Sequence, residues 1–104
     1  SPENQTWQTE AQKLIDTGAE YLILTEFVSS IKEETHLTTQ RWRCEYLTPY
    51  RIYNREELEY FFKEKGYEII HSTHKESGHI FQINWSDHTK DRFMSDYIFK
   101  KEQN

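Results

Sequence analysis

Leu47–Ile70, LTPYRIYNREELEYFFKEKGYEII, reads as an aromatic loop, a capped helix, a glycine stop and a strand. Asn54 suits the N-cap, where a short polar side chain accepts an orphan amide of the first turn. Glu57 stands three residues later, as a capping box requires, and Tyr53 and Leu58 occupy the hydrophobic-staple positions. Glu56, Glu57 and Glu59 lie early and Lys63 and Lys65 late, which complements the helix dipole. Leu58, Phe61 and Phe62 form the apolar stripe. Gly66 ends the helix, because glycine adopts the left-handed C-cap conformation without strain. Tyr67–Thr73 then follows as a strand.

Working towards the N-terminus, Ser29–Pro49 is polar and reads as a long loop, the kind of connection that is usually functional or mobile. Within it His36–Gln40, HLTTQ, predicts a short edge strand. Glu20–Val28, EYLILTEFV, is a nearly continuous apolar run rich in strand-forming residues, which predicts a buried strand ending near Thr25 and Glu26. Trp7, Ala11, Leu14 and Ile15 repeat at helical spacing, so a first helix is expected from about Gln5 to Thr17, stopped by Gly18. Towards the C-terminus, His74–Gly78 reads as a turn, His79–Trp85 as an extended segment and Ser86–Arg92 as a loop. Tyr97-Ile98-Phe99 reads as a final strand. The expected order is α-β-loop-α-β-β-β in one α/β domain spanning residues 1–104.

Composition narrows the function. The chain is 35% hydrophobic and 30% charged, so its core is modest, and three tryptophans, seven tyrosines and six phenylalanines supply much of it. A formal charge of −5 argues against general nucleic-acid binding, which needs a basic footprint. Arg41, Arg43 and Arg51, interleaved with Trp42, Tyr46 and Tyr50, make a local basic and aromatic cluster that reads as a solvated loop with anchoring rings. The single Cys44 cannot form an internal disulfide and fits a reducing, cytoplasmic compartment. No apolar run reaches the length of a membrane span. The polar opening SPENQ is unlike a signal peptide, and Ser-Pro without Met points to processing or trimming.

Of the five histidines, His71 and His74 fall on opposite faces of a strand and cannot chelate one metal, so no metal site is expected. A Ser-His-Asp set can be drawn from Ser95, His88 and Asp96, but polar sequences supply such sets freely and geometry decides. The catalytic residues are not legible.

The element order and several short blocks resemble the C-terminal half of class I S-adenosylmethionine-dependent methyltransferases. They resemble most a family found in surface-polysaccharide gene neighbourhoods. The blocks are Glu20–Thr25 (EYLILT), His36–Gln40 (HLTTQ), Pro49–Leu58 (PYRIYNREEL), Gly66–Ile70 (GYEII) and Ser95–Lys100 (SDYIFK). Asp96 departs from the glycine usual in the last block. The resemblance implies a Rossmann-like sheet in which a helix follows the fifth strand, then a sixth strand and an antiparallel seventh. It implies a cofactor, S-adenosylmethionine, in the full-length protein. This chain has only Gly18, Gly66 and Gly78, so it lacks the glycine-rich cofactor turn and is expected to be a fragment, inactive alone. The resemblance further places Thr25, Glu26, Gln40, Tyr50 and Arg51 on the substrate side, with Tyr50 and Arg51 facing an anionic sugar or phosphate. A fragment of that sheet would leave the edge of the Glu20–Val28 strand open, which predicts a homodimer. The alternative is a small non-catalytic α/β domain that binds a partner protein through its aromatic loop.

Overall fold

The computed structural model describes residues 7–42, 46–76 and 91–103. It is a mixed α/β unit in which two helices cover one face of a five-stranded mixed sheet. The elements are α1 (Trp7–Asp16), β1 (Tyr21–Ser30), β2 (His36–Trp42), β3 (Tyr46–Asn54), α2 (Arg55–Glu64), β4 (Tyr67–Glu76) and β5 (Arg92–Lys101). Their order across the sheet is β2-β3-β1-β5-β4. β1 and β3 run parallel, and every other neighbouring pair is antiparallel.

α2 forms as its residues dictate. Asn54 sits in an extended conformation and accepts the Glu57 amide at 3.0 Å. Lys65 caps the other end, and Gly66 follows at φ +86° while its amide reaches the Lys63 carbonyl at 3.0 Å. α1 ends the same way, with Gly18 at φ +73° donating to the Ile15 carbonyl at 3.0 Å.

Both helices pack on one face. Trp7 meets Phe61 of α2 at 5.1 Å and Tyr53 of β3 at 5.7 Å, edge to face in both cases. Phe62 stacks on Phe99 at 4.3 Å, and Tyr97 stacks between Phe27 and Phe99. Leu22, Leu58 and Tyr67 complete this core. Each wholly buried ring or branched side chain contributes roughly 1.5–3 kcal/mol. The other face is uneven. Val28 and Ile52 are buried there, whereas Tyr21 and Ile23 at the far end of β1 are exposed, as is Ile70 at a bulge of β4.

Four expectations change. Tyr46–Asn54 is a strand, not a loop: it pairs with all of β2 and, through Ile52–Asn54, with β1. Pro49 is tolerated because it lies beyond the three-residue reach of β1, where β3 has a strand neighbour on one side only. β1 continues to Ser30 instead of ending near Thr25 and Glu26, which instead form a bulge between Leu24 and Phe27. His74 belongs to β4 rather than to a turn, because β5 begins at Arg92 and pairs with it as far as Glu76. The expected open edge of β1 is only partly closed: β5 pairs along the strand, whereas β3 pairs with it at Val28–Ser30 alone, and among the described residues Tyr21–Phe27 have no strand partner on that flank. Among the described residues the sheet's edges are β2 and β4, as the edge-strand reading of His36–Gln40 requires. The segments read as His79–Trp85 and most of Ser86–Arg92, together with Cys44, lie outside the described residues.

Candidate functional site

Alternation along β5 sorts its chemistry. Ser95, Tyr97 and Phe99 face the helices, while Met94, Asp96 and Ile98 face away. Ser95 and Asp96 therefore cannot serve one catalytic set. Ser95 instead meets Ser29 of β1 and His74 of β4. The Ser29 and Ser95 hydroxyls lie 2.6 Å apart, and the Ser95 hydroxyl lies 2.7 Å from His74 Nδ1. The direction of donation along this relay follows the imidazole tautomer. Both serines are wholly buried. The imidazole is half-buried and packs edge-on against Tyr97 at 5.4 Å. Burial, then the positive charge of Arg55, holds the His74 pKa below its ordinary value against the opposing pull of Glu59 and Asp96.

One helical turn of α2 roofs the relay. Tyr97 Oη donates to Glu59 Oε2 at 2.6 Å, and burial followed by this carboxylate pushes the phenol well above its usual range. Arg55 opens the helix with its guanidinium 4.9 Å from the Phe93 ring centre. Its Nε and Nη2 are buried and meet no acceptor among the described residues.

Serine and imidazole stand at the spacing of a nucleophile and its base. The Ser95 hydroxyl has no exposed surface, however, and so cannot meet a substrate. The relay is a buried polar bridge whose one titratable member is His74. Sequence reasoning missed it because the partners are 21 and 66 residues apart and His74 was read as a turn residue.

On the opposite face, Asp96 Oδ1 accepts the Glu26 amide at 2.9 Å and Oδ2 accepts the Thr73 hydroxyl at 2.7 Å. These two bonds, the amide first, hold the Asp96 pKa below its ordinary value. Glu26 has φ +54°, a left-handed conformation uncommon outside glycine, and the aspartate fixes the bulge that requires it.

The five substrate-side residues do not converge. Thr25 and Glu26 are neighbours at the bulge. Tyr50 and Arg51 lie on opposite faces of β3, as consecutive strand residues must. Tyr50 accepts from Arg92 Nη1 at 3.2 Å, and Arg92 grips Glu33 side-on with Nε and Nη2, each at 2.8 Å. Arg51 neighbours Tyr53, whose pKa burial raises more than Arg51 lowers it. Gln40 lies in edge strand β2, paired with Thr48. Thr25 also lines a mainly apolar cleft of about 380 Å³ with Trp7, Glu10, Leu14, Leu24 and Tyr53. Among the described residues, no three His, Cys, Asp or Glu side chains group to hold a metal, and no helix is long and apolar enough to cross a membrane.

These features define a mixed α/β unit with a buried polar bridge and an apolar cleft. No family model, curated protein or solved structure matches the chain.

Proposed function

We propose that this chain is the C-terminal, substrate-side portion of a class I S-adenosylmethionine-dependent methyltransferase, inactive without the cofactor half. One observation carries the reading. The last strand, β5, runs antiparallel to its neighbours β1 and β4, and α2 joins β3 to β4. A helix, a strand and an antiparallel closing strand are what the resemblance implies. The exposed Tyr21, Ile23 and Ile70 on the helix-free face fit a sheet that is covered on both faces in a larger α/β enzyme. Gly18 and Gly66 both serve as helix stops, so neither is available to cradle a cofactor. Calorimetry with S-adenosylmethionine tests the reading. Binding to the product of the whole gene and none to this chain is expected; no binding to the whole product sinks it.

A second reading, a small non-catalytic α/β binding domain, is favoured by β1 itself. β3 pairs with the end of β1 at Val28–Ser30, on the flank where a larger sheet would continue, and the cleft beside α1 offers an apolar site. Thermal unfolding of this chain separates the readings. A single cooperative transition with no binding of a hydrophobic dye favours the self-standing domain, and strong dye binding at neutral pH favours the fragment.

A homodimer through a strand edge would use β2. Its seven residues pair without a bulge, whereas β4 carries a bulge at Ile70 and ends in Lys75 and Glu76, features that discourage edge pairing. Sedimentation as a strict monomer at high concentration would count against it.

A further inference from the structure

Arg92 and Arg55, two of the chain's five arginines, are both partly buried and differ in their partners. Arg92 turns its Nε and Nη2 side-on to Glu33, and each donates to one carboxylate oxygen at 2.8 Å. Arg55 presents the same two atoms, buried, to no acceptor among the described residues. Buried guanidinium donors left unpaired cost several kcal/mol on the order of a lost charge-assisted bond each. The side-on edge of an arginine matches a planar carboxylate or a phosphate oxygen pair.

We propose that Arg55 anchors an oxyanion site, and that it takes a carboxylate or phosphate group of a ligand on the fork formed by Nε and Nη2.

The surroundings agree with that chemistry. Phe93 lies beneath the guanidinium at 4.9 Å and restrains its plane. His74 and Ser95 stand on the strands beneath the same turn of α2, and burial, then Arg55 itself, lowers the imidazole pKa. The local carboxylates are already engaged. Glu59 accepts from Tyr97 at 2.6 Å, and Glu57 accepts from Thr35 at 2.9 Å, while Glu56 is exposed. Arg55 as a whole is only half-buried, although Nε and Nη2 themselves are buried. Glu59, one turn along the helix, is the internal competitor for this fork. The site does not depend on the methyltransferase reading, and its test needs no S-adenosylmethionine.

The test follows the arginine Nε–H signals of this chain by NMR during titration with inorganic phosphate and, separately, with acetate. Arg55→Lys assigns the Arg55 signal by its loss. The expected result is a saturable shift of the Arg55 signal with at least one of the two anions while the Arg92 signal stays fixed. A rise in melting temperature with that anion, absent in Arg55→Lys and in Arg55→Gln, should accompany it. Response to phosphate alone assigns a phosphoryl ligand, and response to both assigns oxyanions generally. Three outcomes overturn the proposal. An Arg55 signal that stays fixed in both titrations is the first. All arginine signals moving together and linearly marks only a general ionic effect. A shift of the Arg55 signal caused by Glu59→Gln in anion-free protein, with no further response to either anion, marks an internal pair. Sequential backbone-to-side-chain assignment of the wild-type arginine Nε–H signals identifies Arg55 independently, so the wild-type titration decides the matter even if the variants fail to fold.

Discussion

Asn54 and Glu57 cap α2 together, but Glu57 answers through a third residue. Asn54 Oδ1 accepts the Glu57 amide at 3.0 Å. In a simple capping box the glutamate would reach back to the Asn54 amide. Here that amide donates to the Thr35 hydroxyl at 2.9 Å, and the hydroxyl donates to Glu57 Oε2 at 2.9 Å. Asn54 Nδ2 also donates to the Glu33 carbonyl at 2.9 Å. The cap therefore ties the helix to the loop after β1. Asn54→Ala should cost about 2 kcal/mol, the upper end for an N-cap, because it loses more than the cap bond. Thr35→Val should cost about 1 kcal/mol by leaving the Asn54 amide unpaired. Urea unfolding measures both. A double-mutant cycle of Thr35→Val with Glu57→Gln should show coupling, since the two residues share one bond.

Gly66 separates backbone strain from crowding. A Cβ built there meets nothing within 4 Å, yet φ is +86°. Gly66→Ala should destabilise by about 1 kcal/mol, all of it conformational, and Gly66→Asn by less, because asparagine tolerates the left-handed region. If alanine and asparagine cost the same in denaturant titrations, the glycine is not serving as a left-handed cap.

α2 was legible because its cap, stripe and stop are all local. β3 was not, because Tyr46–Asn54 carries Pro49 and polar residues, and becomes a strand only through partners in β1 and β2. The bulge in β1 was hidden for a related reason. Nothing about Thr25 and Glu26 announces a left-handed residue, and the group that secures it, Asp96, lies 70 residues away. That distant contact also gives Asp96 a structural task at the position where the resembled family has glycine. Tyr50 and Arg51 looked like one binding pair only while their segment was read as a loop; strand alternation sends them to opposite faces. Arg55 stands in the most recognisable block of the sequence, yet the burial of its donors away from any acceptor among the described residues is a tertiary feature that no local pattern encodes.

The Arg92 fork depends on arginine geometry. Both carboxylate oxygens of Glu33 are engaged at 2.8 Å, and a third nitrogen donates to Tyr50. Lysine keeps the charge but is a point donor and cannot reproduce the fork. Arg92→Lys should cost about 1–3 kcal/mol, the range for losing charge-assisted bonds in a partly buried pair. Tyr50→Phe should cost less, since the carboxylate fork survives. Equal stabilities of Arg92→Lys and wild type by chemical denaturation would show that the fork contributes only charge.

The relay predicts a pH dependence of stability centred on His74. Its folded-state pKa lies below the ordinary value of 6.5, chiefly through burial and then through Arg55, while Glu59 and Asp96 oppose the shift. Between the lowered folded value and 6.5 the unfolded chain binds more protons at this residue than the folded chain does. Stability must therefore rise with pH across that window, and the loss on acidification levels off below the folded value, where both states are protonated. Protonation would also force a charge beside Arg55 and leave Nδ1 able only to donate to Ser95. His74→Gln can keep a hydrogen bond to the Ser95 hydroxyl but does not titrate, so it should flatten the slope in that window. Asp96 contributes in the same direction at lower pH, because its own lowered pKa supplies stability above 3.8 that is lost as pH falls through the folded value. The two effects separate by variant. In urea unfolding series at successive pH values, His74→Gln should alter only the window ending near 6.5, and Asp96→Asn only the acid limb. An unchanged slope below 6.5 in His74→Gln would mean that the imidazole is not held neutral by the fold.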